Sequence, residues 1–298
     1  MTLARILQGL KVTGMEKPLD VVIKTRVFDA VPFAQLQKDL AAHSRLHGRV
    51  YVVVPHNERD QLAGLIGKNC TVLTAEEVAA AAGYAGEFPD TWFTQQIIKI
   101  IAANVVEHDY FLVLDSNTLL GFDFDERHFI SCGQYVYAVK DFHDVAWELQ
   151  SRNFLGLHAP CRLFGFRAAN QILCKQNVQA LIHYVEKLYS DNIVRVLLKH
   201  SDDLSTNFWT EFALYGVFVE SLRKSFGHCF EERSDLVHYI ARWKFSDFLQ
   251  DIKEQAPLMV KFNKARFGKY DLGPEEYARR VSEIKRAYQQ SVAARGAG

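Results

Sequence analysis

Short, nearly continuous apolar runs alternate along the first third of the chain with segments whose apolar residues recur at helical spacing. Leu19 to Arg26 (LDVVIKTR), bounded by Pro18, is β-branched and reads as a buried strand. In VPFAQLQKDLAAHSRL, Phe33, Leu36, Leu40 and Leu46 fall close to one helical face. RVYVVVP (Arg49 to Pro55) predicts a second strand, ERDQLAGLIGK a short helix, and CTVLT (Cys70 to Thr74) a third strand. WFTQQIIKIIAANVV (Trp92 to Val106) predicts a helix and YFLVLD a fourth strand. Apolar strands alternating with helices suit a mostly parallel sheet covered on both faces, so the chain starts as an α/β, Rossmann-like domain.

The pattern then changes. In HFISCGQYVYAVKDF, Tyr135, Tyr137 and Val139 alternate with other residues, as on a half-buried strand. From Val145 the spacing turns helical, with NQILCKQNVQALIHYVEKLY and FWTEFALYGVFVESLRKSF as helical segments and SDLVHYIARWKF as a strand carrying His238. Beyond Pro257 the chain becomes polar, and from Gly273 it predicts one helix with Pro274 near its first position and Glu275 and Glu276 in its first turn. The expected organisation is one body over 1–256 and a C-terminal helical appendage over 257–298.

Composition narrows the function classes. At 298 residues and 49 % hydrophobic, the chain can bury a core without staples. Its 35 basic and 35 acidic residues cancel, which argues against a bulk nucleic-acid partner. The 5 cysteines are scattered, without a CxxC pair, so neither a zinc site nor a disulfide framework is expected, and a reducing, cytoplasmic compartment is. MTLARILQGLKVTGMEK lacks the apolar core of a signal peptide, and no uncharged stretch reaches the ~18 residues of a membrane span. Any membrane contact is therefore expected to be peripheral. No GxGxxG follows the first strand and no Walker motif is present, against a dinucleotide enzyme.

Ligands of open α/β sheets bind outside the carboxyl ends of the strands. Those ends are Lys24 to Asp29, Pro55 to Asn57, Thr74 to Glu76 and Asp115 to Asn117. Asp115 and Asn117, two apart, point to one side of an extended chain and suit a hard cation, Mg²⁺ or Mn²⁺. The same Asp-Ser-Asn equally makes an Asx-type turn. On the preceding helix, Gln95 and Lys99 share a face with Trp92. That face offers an aromatic ring for a base and polar groups for ribose or phosphate. Alternatively it is the solvated face of a helix that buries Ile97, Ile98 and Ile101.

Taken together, DVVIKT, WFTQQIIKI, YFLVLDSNTLL and WTEFALY resemble nucleotide-sugar-dependent glycosyltransferases of the glycosyltransferase-A fold. They are most similar to a bacterial and viral family of sugar transferases with a Trp-aromatic-x-Gln-Gln helix ahead of a D-x-D strand. The resemblance runs from about Leu19 to about Lys244. It implies a single glycosyltransferase-A catalytic domain, with Asp115 and Ser116 at the donor ribose and Asp115, Asn117 and the late His238 on Mn²⁺ or Mg²⁺. His228 is a rival for the histidine. Asn117 departs from the pattern, since an amide supplies no charge to hold a cation, so lower metal affinity is expected. Lys24 and Thr25 correspond to donor-contacting positions, and Trp92, Gln96 and Lys99 to positions facing the nucleotide or its phosphates. Glu211, in the first turn of a helix capped by Asn207 or Thr210, corresponds to the base of an inverting transfer. His143 and Asp144 fall in the acceptor region, and Arg162 and Arg167 face either an anionic group or solvent.

The implied partners are a nucleotide-diphosphate sugar and a glycan or glycolipid acceptor of polysaccharide biosynthesis. The basic final helix is left to touch anionic lipid or a second subunit. Two alternatives stay open. A nucleotidyltransferase of sugar phosphates usually has a glycine-rich loop after the first strand, which KTRVFDA lacks. A catalytically inactive sugar- or nucleotide-binding scaffold is kept in view by Asn117.

Overall fold

The computed structural model describes residues 17–89, 91–141, 146–157, 164–166, 170–201, 209–222, 227–233, 236–239, 245–255, 257–261 and 273–296. Its principal sheet is built from β1 (Leu19–Lys24), β2 (Val50–Val54), β3 (Cys70–Thr74), β4 (Tyr110–Asp115) and β9 (Ile172–Cys174). The strand order is β3-β2-β1-β4-β9, with the first four parallel and β9 antiparallel to β4.

The continuous apolar strands follow from this layering. Val22, Val53 and Val113 face one hydrophobic cluster, while their neighbours Ile23, Val52 and Leu112 face another. Successive strand residues point to opposite faces, so a sheet covered on both sides needs apolar residues at every position. On one side lies α1 (Ala30–His43), burying Phe33, Leu36 and Leu40. A short helix α2 (Arg59–Leu62) and the capped α3 (Ala75–Ala81) complete the early crossovers. On the opposite face, α4 (Trp92–Ile101) buries Phe93, Ile97, Ile98, Ile100 and Ile101.

At the amino ends of the strands, Asp20 is fully buried, yet its carboxylate is fully used. It accepts the backbone N–H groups of Arg49, Glu107 and His108 and lies 2.7 Å from the His108 ring. That acid ties down the loops leading into β2 and β4.

Beyond β4 the chain returns as β5 (Thr118–Leu120), then forms the hairpin β6 (Ile130–Ser131) and β7 (Gln134–Asp141). Cys132 and Gly133, both at positive φ (50° and 77°), make its two-residue turn. The half-buried strand expected at Tyr135–Val139 is buried on both faces, every residue at 4 % exposure or less. Tyr137 and Val139 enter one cluster and Tyr135 and Val136 the other, because β7 lies between the two layers. The Gln171 side chain joins it to the principal sheet, donating to Ala138 O at 2.7 Å and accepting from Ala138 N at 3.0 Å.

Next come α5 (Ala146–Phe154), the short β8 (Phe164–Gly165) paired to β7, and β9. Ile172–Cys174, expected as the start of a helix, is this strand β9. It pairs antiparallel along the edge of β4, and the helix α6 (Lys175–Tyr189) begins only after it. Helices α7 (Ile193–Lys199) and α8 (Glu211–Leu222) follow, then β10 (His228–Glu232), parallel to β7, and β11 (Val237–Tyr239).

The chain closes with α9 (Phe245–Gln255), β12 (Met259–Lys261) and α10 (Pro274–Gly296). β12 pairs with both β11 and β5. Phe248 and Ile252 share one cluster with Tyr277, Val281, Ile284 and Tyr288, so side chains from both sides of position 256 pack together. Tyr288 covers Gly121, where a Cβ would come within 2.3 Å of its ring, and Lys285 pairs with the buried Asp39. The C-terminal helix is thus docked on β5 and α1. Among the described residues, no helix is long and apolar enough to cross a membrane.

Candidate active site

The strand order reverses between β1 and β4, since β2 and β3 lie on one side of β1 and β4 on the other. The crevice at such a reversal is where open α/β sheets bind ligands. Lys24 and Asp115, the last residues of the two strands, are register partners there. Ser116 and Asn117 form the turn to β5. Asn170, at φ 63°, accepts from Asp115 N at 2.9 Å and from Thr118 Oγ1 at 3.1 Å, fastening both ends of the turn. Asp-Ser-Asn is therefore a braced turn, and it stands at the position where a ligand would dock.

Helix α4 supplies the next residues. Thr91 and Thr94 cap it reciprocally. Its polar face is only partly solvated: Trp92 is exposed and Gln95 half-buried, but Gln96 and Lys99 are 4 % and 5 % exposed. Lys99 Nζ donates to Asp115 Oδ1 at 2.6 Å and to Glu211 Oε1 at 2.8 Å. Thr210 Oγ1 accepts from Ala213 N at 3.2 Å, the capping contact that sets Glu211 as the first residue of α8. The Gln96 amide lies against the same carboxylate, and with its nitrogen turned toward Glu211 it donates to that group. Gln96 and Lys99 of α4, Asp115 of β4 and Glu211 of α8 thus form one cluster.

Burial and charge oppose each other within it. Burial pushes the Glu211 carboxyl up from its ordinary value; the Lys99 ammonium draws it down, and Asp115 pushes it up further. Burial also works against the Lys99 charge, yet Asp115 and Glu211 together outweigh it and hold the ammonium protonated well above the usual lysine range. Asp115 is the most accessible member, with its side chain 14 % exposed against 6 % for Lys99 and 3 % for Glu211.

Around the cluster, Trp209 is buried and packs on Phe93 with ring centroids 5.9 Å apart, while Trp92 on the other side of Phe93 is 48 % exposed. Lys24 and Thr25 are buried at the end of β1, and Ser116 is buried in the turn. Thr25 Oγ1 and Asn117 Oδ1 are buried polar atoms without a hydrogen-bond partner. Unsatisfied groups of this kind are rare and call for a reason.

His238 lies in the middle of β11, in one row with Val260 of β12 and Leu119 of β5, two strands from the chain that carries the Asp115–Asn117 turn. Its side chain lies outside the described residues. His228 sits against Tyr110, at the opposite end of β4 from Asp115, with its Nε2 2.7 Å from Tyr215 Oη. His143, Asp144, Arg162, Arg167 and Asn207 lie outside the described residues.

The donor set suits a divalent cation poorly. One Asp115 oxygen holds an ammonium, Asn117 is neutral, and among the described residues no group of three or more His, Cys, Asp or Glu is placed to hold a metal ion. A divalent ion about 4 Å from an ammonium would meet roughly 8 kcal/mol of repulsion at an effective dielectric of about 20.

Sequence reasoning missed Asn170 and Trp209. Asn170 carries no motif, and the pairing of Trp209 with Phe93 is a tertiary contact.

The class of architecture is the glycosyltransferase-A fold. The chain superimposes on the galactosyltransferase LgtC, solved with donor and acceptor sugar analogs, with a TM-score of 0.50 and 11 % identity over 89 % of this chain and 95 % of that one. It also superimposes on the bifunctional glycosyltransferase WbbM, with a TM-score of 0.52 and 13 % identity over 93 % of this chain and 52 % of that one. At such identity the likeness establishes fold, and the chain spans about half the length of WbbM. By sequence the chain belongs to the family of unknown function DUF6492, whose model matches residues 25–239. No curated protein sequence matches it.

Proposed function

We propose that this protein is a nucleotide-sugar-dependent glycosyltransferase that moves one sugar from a nucleoside-diphosphate donor to a hydroxyl of a glycan or glycolipid. The observation that carries this reading is the convergence of Lys99, Asp115 and Glu211 at the β1/β4 reversal of a glycosyltransferase-A fold. Ser116 and the Asp115 carboxylate would bind the ribose hydroxyls and Lys24 and Thr25 the phosphates, with Trp92 exposed for the base. Thr25 Oγ1 and Asn117 Oδ1, both unpaired, offer further hydrogen bonds to the donor.

In this reading Glu211 takes the proton of the acceptor hydroxyl. The acceptor oxygen bonds to the anomeric carbon as the bond from that carbon to the diphosphate oxygen breaks, with its electron pair leaving on the nucleoside diphosphate. Inversion follows from the single displacement. The two influences on Glu211 suit a base: burial raises its proton affinity and Lys99 keeps it ionisable. The protein would act in the cytoplasm, at or near the membrane that carries its acceptor.

The burial of Glu211 behind Lys99 favours one second reading, a nucleotide-sugar-binding module without turnover. A thermal-shift panel of UDP, GDP, CMP and dTDP and their sugars tests binding, because a native-state ligand raises the melting temperature. Release of nucleotide from the sugar that shifts the melt then tests turnover. A transferase slowly hydrolyses that donor, and Glu211→Gln abolishes release while keeping the shift; Trp92→Ala weakens the shift without lowering the unliganded melt. No shift from any nucleotide at millimolar concentration, in a folded sample, refutes the proposal.

A further inference from the structure

We propose that Lys99 stands in place of a divalent cation, its ammonium supplying the fixed positive charge beside the donor diphosphate, so that the protein binds its nucleotide sugar without metal. The inference rests on the nucleotide-sugar reading above. A pair of carboxylates at the end of β4 would attract a cation, but here the second position is Asn117. The first, Asp115, is already matched by an ammonium at 2.6 Å that comes from α4 rather than from solvent.

That ammonium is built in. Its side chain is 6 % exposed, Glu211 fixes it from the far side at 2.8 Å, and the Phe212 ring lies 5.5 Å from it. Lys24, also buried, ends the neighbouring strand in register with Asp115. Two buried lysines, Lys24 and Lys99, thus stand beside the Asp115 carboxylate at the strand-end reversal, with Glu211 behind Lys99. A fixed cation that needs no reorganisation when charge develops on a leaving group is what such a transfer requires.

Asp115 and Glu211 touch the same nitrogen, which puts their oxygens near enough to share one ion. Removing the ammonium should therefore leave two carboxylates placed to share a metal ion. Mn²⁺ is titrated into wild-type protein, Lys99→Met and Lys99→Arg, with free Mn²⁺ read from its electron paramagnetic resonance signal and folding checked by circular dichroism. Wild type and Lys99→Arg should leave Mn²⁺ free at micromolar concentration. Lys99→Met should bind it at least about tenfold more tightly, and lose that gain when Asp115→Asn or Glu211→Gln is added.

In parallel, the nucleotide thermal shift of the wild type is measured with EDTA and with Mn²⁺. A shift unchanged by EDTA supports the inference. A shift that EDTA abolishes and Mn²⁺ restores overturns it, as does micromolar Mn²⁺ binding by the wild type. If Lys99→Met does not fold, these two wild-type measurements decide. No nucleotide shift under any condition would instead remove the transferase reading, and the Mn²⁺ titration would still report on the cluster.

Discussion

Replacing Lys99 by methionine keeps much of the side-chain length and removes the charge that joins α4, β4 and α8. Asp115 and Glu211 are then left facing each other with side chains 14 % and 3 % exposed. Breaking a buried ion pair from one side costs about 3–5 kcal/mol. Protonation caps that cost. Glu211 can escape ionisation by taking a proton, at about 1.4 kcal/mol for each pH unit between its unfolded pKa of about 4.3 and neutrality, or roughly 3–4 kcal/mol at about pH 7. The two estimates meet near 3–4 kcal/mol.

The pH dependence has a definite sign. Burial and Asp115 already raise the Glu211 pKa and Lys99 opposes them, so the variant raises it further. Above the unfolded pKa the folded variant then binds more protons than the unfolded chain. Its stability falls as pH rises through that window and recovers as pH is lowered toward about 5. Urea unfolding followed by tryptophan fluorescence, in EDTA at neutral and mildly acid pH, measures both quantities. A loss below about 1 kcal/mol at neutral pH, or one that grows on acidification, would refute the account of Lys99 as the buried counter-ion.

Two further outcomes concern the scaffold. Burial holds His228 neutral, with its pKa lowered to about 4, so it stabilises the fold fully above its unfolded value of about 6.5 and loses up to about 3 kcal/mol as pH falls toward 4. Acid unfolding should thus be shallower in His228→Gln, and parallel pH profiles for the two proteins would count against it. Gly216→Ala should lower stability by about 1–2 kcal/mol, because a Cβ there meets the buried Phe166 ring at 2.5 Å and this overpacking exceeds the gain in helix propensity; an unchanged or raised melting temperature would contradict that contact.

The local pattern already contained much of the molecule. β3 and β4 have the bounds their apolar runs predict, β1 ends two residues short of the expected Arg26, and α10 starts at Pro274. Continuous apolar runs can be read this way because a strand buried on both faces leaves no polar position, and proline at the first helical residue loses no hydrogen bond. Asp115, Lys99 and Glu211 were also visible singly, by their places at a strand end, on a helix face and at a helix start.

What no local pattern held was their joining. Lys99 reads either as a phosphate-facing or as a solvated helix lysine until α4 is laid across β4 and the first turn of α8 is brought beneath it, across 112 positions of sequence between Lys99 and Glu211. Ile172–Cys174 reads as helix until β4 offers it an edge, and Tyr135–Val139 reads as half-buried until a second layer covers its other face. Periodicity reports how a segment presents its own side chains. Which charge meets which, and whether water remains between them, depends on contacts between segments, and those were decided only when the layers packed.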